Sequence, residues 1–223
     1  MNTRNKQLYI VISQTGTLLS RILKALTGAE YNHASISLSE DLEEMYSFGR
    51  RYPYNPFWGG FVMESPHAGT FRRFSNTKVL VLSVTVSEEQ YAQLRNILKA
   101  MWKGRKKYRY NFAGMCLAFF HIIWKRENCY YCSEFVGELL IKGRIDGAEK
   151  LCASVIQPIH FLRLPHKQIY CGMLREYACS NASGIKETGR PPSRMTPPAR
   201  KKAAVRSERS LRAAACAIHT EPR

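Results

Sequence analysis

Residues 78–86, KVLVLSVTV, constrain this chain more than any other stretch. They are the strongest strand in the sequence, rich in Val and Leu, and a strand of that kind needs sheet partners to bury its faces. A shorter apolar run, LYIVIS at 8–13, suits a second buried strand. HASISLS at 33–39 alternates, with Ala34, Ile36 and Leu38 on one face and His33, Ser35, Ser37 and Ser39 on the other. That pattern predicts a half-buried strand. EMYSFG and GGFVMES suggest two more short strands, separated by the turn-rich RRYPYNPFWGG at 50–60. Helical signals are also present. Leu18, Leu19, Ile22, Leu23 and Leu26 recur at helical spacing before Gly28. Ser87 and Gln90 form a capping-box pattern ahead of an apolar stripe of Tyr91, Leu94, Ile97, Leu98 and Met101, closed by Gly104. A further helix is predicted over 112–125 and another from about Cys132 to Lys142, with IHFLRL and QIYCGML as final strands. The expected class is α+β: a strand-rich first half followed by helices, with an antiparallel sheet packed against them.

A chain of 223 residues can bury one substantial core. Its charge is less ordinary: 34 Lys and Arg against 17 Asp and Glu give +17, which favours anionic partners and says nothing about fold. The composition changes at Ser180. Beyond it lie RPPSRMTPPARKK and almost no large apolar residues, so 180–223 reads as a basic, Pro-rich disordered tail on a domain spanning 1–179. The longest apolar run, Phe112 to Trp124, falls short of the ~20 residues a membrane span needs. QLYIVIS is too short for a secretory leader and no small-residue cleavage site follows. Seven cysteines without a repeating spacing do not read as a disulfide framework. The expectation is a cytoplasmic protein with reduced thiols.

Chemistry concentrates in RENCYYCSEFVGELL, 126–140. Cys129 and Cys132 admit four readings: a redox pair, half of a metal site, buried packing, or one nucleophile. A thioredoxin-like pair sits where a strand opens into a helix, whereas the residues before Cys129 read as helical and basic. Zinc needs two further ligands at paired spacing, and no second CxxC or HxxxH exists, so no metal is expected. Cys132 alone has an advantage. It stands at the start of a helix marked by Phe135, Val136, Leu139 and Leu140, where unpaired N–H groups and the macrodipole stabilise a thiolate. Cys129, upstream of that start, lacks it.

A thiolate nucleophile needs a base. Of six histidines, His219 lies in the tail, His166 beside Pro165 in a loop, His121 inside an apolar helix, His67 in a turn and His160 in an expected strand. His33 begins a strand on its polar face, directly after GAEYN. A solvent-facing strand histidine is the plain alternative.

YNHASISL far upstream of YYCSEFVGELL resembles the circularly permuted papain-like branch of the NlpC-type amidase and peptidase superfamily, which includes lecithin retinol acyltransferase-like enzymes. CSEFV is similar to those acyltransferases' Cys followed by two polar residues, Phe and Val. The resemblance covers about residues 8–142. It implies a permuted papain-like fold with Cys132 as nucleophile at a helix N-terminus and His33 as general base. It also implies a third polar residue, from a later strand, that orients the imidazole. Ser47 in MYSFG and Glu64 in FVMES compete for that place, and Glu64 is the better orienter because a carboxylate also stabilises imidazolium. Gln14, Tyr31, Tyr131 and Trp58 are candidates for lining the cleft. The implied activity is a cysteine hydrolase (amidase or peptidase) or acyltransferase acting on a peptide or acylated amine, with no cofactor.

Two other functions fit parts of the sequence. KGRKKYR packs Lys103, Arg105, Lys106, Lys107 and Arg109 together, which suits a solvated loop or an anionic membrane or polymer surface. A non-catalytic binding module of the same fold would use it. No nucleic-acid motif accompanies it, so nucleic acid is not an expected partner. The other alternative is thiol–disulfide exchange at Cys129 and Cys132.

Overall fold

The computed structural model describes residues 5–16, 30–52, 55–118, 120, 122–151 and 155–182, with the side chains of 53–57 and 182 left out. The helix expected over 18–26, His121 and the tail beyond 182 lie outside these residues. The chain divides into units 1–186 and 187–223, and every described residue belongs to the first.

The two apolar runs that dominate the sequence pair with each other. β1 (Lys6–Gln14) and β5 (Lys78–Val86) form an unbroken antiparallel ladder from Lys6–Val86 to Gln14–Lys78. β2 (His33–Ser37), β3 (Met45–Tyr52) and β4 (Asn55–Glu64) extend the sheet on one side and β8 (Lys167–Met173) closes the other. The order is β4-β3-β2-β1-β5-β8, and every neighbouring pair is antiparallel. The molecule is therefore α+β, an antiparallel sheet packed against helices.

The central strands are apolar throughout because both sheet faces are covered, which removes the usual alternation. On one face Leu8, Ile10, Ile12, Ala34, Ile36 and Phe48 join a large core beneath two helices, α2 (Glu88–Lys103) and α4 (Cys132–Lys142). On the other face Tyr9, Val11, Met45, Val79 and Val81 form a smaller core. It is closed by Phe71 of α1 (Gly69–Arg73) and by Leu174 and Tyr177 of α5 (Leu174–Ala182). α2 begins as its sequence predicts: Gln90 N–H donates to Ser87 Oγ and Ser87 N–H to Gln90 Oε1.

Four expectations are corrected. IHFLRL is no strand: Pro158–Arg163 is a 3₁₀ helix with proline in its first turn, and His160 lies in it. Proline cannot donate to a ladder but fits a helix start. The helix predicted over 112–125 stops early, as α3 (Phe112–Ala118). Asn111 Nδ2 instead donates to the Trp124 carbonyl, and Phe120, Ile122, Ile123 and Trp124 are exposed. RRYPYNPFWGG is mostly strand, since β3 runs to Tyr52 and β4 begins at Asn55. Residues 122–125 are not helical and Cys129 lies in a strand, β7 (Cys129–Tyr130), which pairs in parallel with β6 (Arg109–Tyr110). The QIYCGM segment is a strand as expected, but Leu174 then opens α5, which the sequence reading does not contain.

Candidate active site

His33 is the first residue of β2, paired with Ser13 of β1. Strand alternation puts His33, Ser35 and Ser37 on the face opposite Ala34 and Ile36. The imidazole therefore lies on the smaller-core face, with its centroid 6.3 Å from the Phe71 ring. Glu64, the last residue of β4, shares that face because it pairs with Met45. Its carboxylate reaches back across β3 to His33, with Nε2 3.0 Å from Oε2 and 3.2 Å from Oε1. Ser35 Oγ donates to the same Oε2 at 2.7 Å and fixes the carboxylate from below. The crossing needs a bare patch of strand, and Gly49 supplies it. A Cβ there would stand 3.1 Å from Glu64 Oε1 and 3.8 Å from His33 Cε1.

Cys132 comes from the other side of the sheet. It opens α4, whose Phe135, Val136, Leu139 and Leu140 pack in the large core. Layers in a protein sit about 10 Å apart, so a thiol on one face and an imidazole on the other would not normally meet. They meet here because His33 stands at the open end of its strand. Cys132 Sγ lies 3.9 Å from the Asn32 carbonyl, one residue before that end. The thiol and the imidazole lie close enough that each shifts the other's proton affinity. With Nε2 on Glu64, Nδ1 is the ring nitrogen left for sulfur.

The electrostatics follow from this chain of contacts. Burial opposes the charged form of both groups. For His33 it is outweighed by the Glu64 charge, then by the hydrogen bonds to Cys132 and Glu64, and the imidazole is held well above its ordinary range. For Cys132 it is outweighed by the His33 hydrogen bond and charge and by the N–H groups of Ala34 and Ser133, and the thiol is lowered. Both shifts run toward thiolate and imidazolium. His33 and Glu64 side chains keep 14% and 13% exposure, so the site is shielded without being sealed.

The start of α4 is held from two directions. Tyr131 N–H donates to Glu134 Oε2 at 3.2 Å, which closes the first turn. Glu134 is itself buried, and that burial pushes its carboxyl up to about 7 against the Tyr131 N–H. Ser133 Oγ donates to the Ile156 carbonyl at 2.7 Å. Gly137 lets Ile156 come this close, because a Cβ there would meet the Ile156 side chain.

Of the candidate residues, the fold brings Cys132, His33 and Glu64 together. Ser47 is elsewhere: its hydroxyl is fully buried and donates to the Ala34 carbonyl at 2.6 Å, just past the last β2–β3 ladder pair, Ile36–Tyr46. Tyr131 adjoins Cys132 as the N-cap of α4. Gln14 ends β1, half-buried, next to the Ser13 that pairs with His33. Tyr31 packs against the large core. Trp58 is 52% exposed on the edge strand β4.

Sequence reasoning missed Tyr110, whose hydroxyl donates to Met115 Sδ at 3.2 Å and lies near enough to Cys132 for each to affect the other's ionisation. Burial, then the Cys132 charge, raises its ionisation well above the usual phenol range, so it stays a neutral phenol. It is placed by the β6–β7 pairing of Tyr110 with Tyr130 and by Gly59, where a Cβ would stand 2.7 Å from Tyr110 Cβ. Only the GG pair in β4 hinted at such a crossing. Ser35 was visible in the alternation but not singled out. Ser13 Oγ, opposite His33, is the one buried side-chain polar atom without a hydrogen bond among the described residues. Cys129 is buried on β7, and Cys116, Cys129 and Cys132 are free thiols. No cluster of three or more His, Cys, Asp or Glu suited to a metal occurs among the described residues. No described helix is long and apolar enough to cross a membrane. No protein-family model, no curated protein and no solved structure matches the chain.

Proposed function

We propose that the protein is a cysteine hydrolase or acyltransferase of permuted papain-like architecture, working through Cys132, His33 and Glu64. The observation that carries this reading is the Cys132 thiol, at a helix N-terminus, beside an imidazole that is itself hydrogen-bonded to the Glu64 carboxylate. The chain order supports it too, since the His strand precedes the Cys helix as in the permuted branch.

The chemistry is acyl transfer to sulfur. The Cys132 thiolate attacks the carbonyl carbon of an amide or ester, a C–S bond forms, and the carbonyl π electrons move to oxygen. That oxyanion is held by the Cys132 N–H, which at the first helical position has no intrahelical partner. As the intermediate collapses, His33 gives its proton to the departing amine or alcohol and the C–N or C–O bond breaks. Water or a second acceptor then attacks the thioester and loses its proton to His33, and Cys132 leaves as thiolate. Glu64 keeps the ring oriented and stabilises its charge throughout.

Limiting iodoacetamide followed by peptide mass mapping tests the reading. Cys132 should label before the other six cysteines despite being 5% exposed, and His33→Ala should slow its labelling by about 10²-fold or more. Uniform labelling of exposed thiols such as Cys116 and Cys179 would sink it. Thiol–disulfide exchange separates cleanly, because it requires Cys129 and acyl transfer does not.

A further inference from the structure

A second concave site lies on the far side of Glu64 from the thiol. It is a cleft of about 350 Å³ on the edge strand β4, lined by Arg50, Arg51, Arg105 and Lys106 together with Tyr52 and Met63 among others. Glu64 is its one carboxylate, and that carboxylate is already bonded to His33 and Ser35. None of the four cations forms an ion pair among the described residues.

The cations are built in. Arg51 lies flat over Gly60, where a Cβ would stand 2.7 Å from its Nη2. It donates to the carbonyls of Arg105 and Tyr108 at 2.8 and 2.7 Å, which ties the basic turn 105–107 onto the edge of the sheet. Arg105 stacks over the Trp102 ring at 4.6 Å. Arg50 is half-buried, and burial together with the Arg73 charge weakens its hold on its proton. Like charges sharing one cleft without an ion-pair partner repel, and a bound anion would relieve that repulsion.

We propose that this cleft binds a phosphate monoester, with the phosphate among Arg50, Arg51, Arg105 and Lys106 and an apolar organic part against the exposed Tyr52 and Met63. Four cations against one carboxylate leave three positive charges. A carboxylate ligand neutralises one of them, and a phosphate monoester up to two with more acceptor oxygens for the guanidinium forks. The volume is at the small end of ligand sites and holds a phosphate with a ring-sized group attached. The site does not depend on the acyl-transfer reading, because it needs neither Cys132 nor His33.

The test is isothermal titration of the full chain, in low-chloride buffer, with phenyl phosphate, inorganic phosphate and benzoate. Phenyl phosphate should bind saturably and at least about tenfold more tightly than benzoate, with inorganic phosphate between them. Arg50→Gln and Lys106→Gln should each weaken it severalfold, while Lys78→Gln, on β5, and Cys132→Ala should not. Circular dichroism checks each fold, and if Arg50→Gln fails to fold, Lys106→Gln with Arg105→Gln decides. Vesicles containing phosphatidic acid, set against phosphatidylcholine alone, identify the source. Capture that Arg50→Gln abolishes points to a lipid headgroup, and soluble binding without capture to a free ester. Absence of saturable binding in both arms overturns the proposal. So does equal affinity for benzoate, or Arg50→Gln and Lys106→Gln variants that bind as well as the parent.

Discussion

The two faces of the sheet are built differently. The larger core is apolar from end to end and centred on rings: Phe48 lies within about 5–6 Å of Phe61, Tyr108, Tyr130 and Phe135. The opposite face has a smaller apolar cluster, and its margin is occupied by His33, Ser35 and Glu64. One face supplies the stability that lets the other hold polar groups partly out of water. The thiol belongs to neither wholly, since it rides on a helix of the large core and reaches the polar face only around the end of β2. The faces should therefore respond to mutation in different currencies, stability on one and proton affinity on the other.

Phe48→Ala should break the first face. Removing a fully buried ring costs about 3–5 kcal/mol, which denaturant unfolding would show. In whatever fraction stays folded, the pH dependence of Cys132 alkylation should be unchanged. Glu64→Gln addresses the second face and should leave stability closer to the parent. The Glu64 charge raises the proton affinity of His33, and the imidazolium in turn stabilises the thiolate. Losing that charge lowers the pKa of His33 and raises that of Cys132. The alkylation rate of Cys132 should then climb at higher pH than in the parent, and the basic limb of turnover should move to lower pH. A pH profile that stays put would separate Glu64 from the site.

Gly49→Ala sharpens the contrast with a smaller change. Its Cβ would press on Glu64 Oε1 at 3.1 Å and Val62 Cγ2 at 3.3 Å, so it should displace the carboxylate and shift the same profile in the same direction. The expected stability cost is about 1 kcal/mol, at the low end for overpacking. Ser13→Ala should do least. Its buried hydroxyl has no partner, and deleting it removes a desolvation cost, so the melting temperature should hold or rise slightly. A clear loss of stability would mean the hydroxyl is bonded after all.

Much of this was legible locally. KVLVLSVTV, LYIVIS and HASIS are strands, the helix at 132–142 starts on its cysteine, and the Ser87–Gln90 cap forms, because face, length and capping are set by residues within a few positions of one another. Legibility fell where long-range pairing overrode local signals. The Gly- and Pro-marked hairpin is strand because β6 crosses over Gly59 and Gly60, and the apolar run after Ala118 leaves the helix where Asn111 holds its far end.

By itself, then, the sequence determined the strands, the helix that presents Cys132, and the face on which His33 lies, since these follow from periodicity along one segment. The tertiary structure alone decided between Glu64 and Ser47, brought Tyr110 to the sulfur, and gathered four cations around one cleft. Those outcomes depend on cross-strand register, on diagonal reach over a glycine, and on a parallel pairing of segments some twenty residues apart. Local composition does not encode any of these distances.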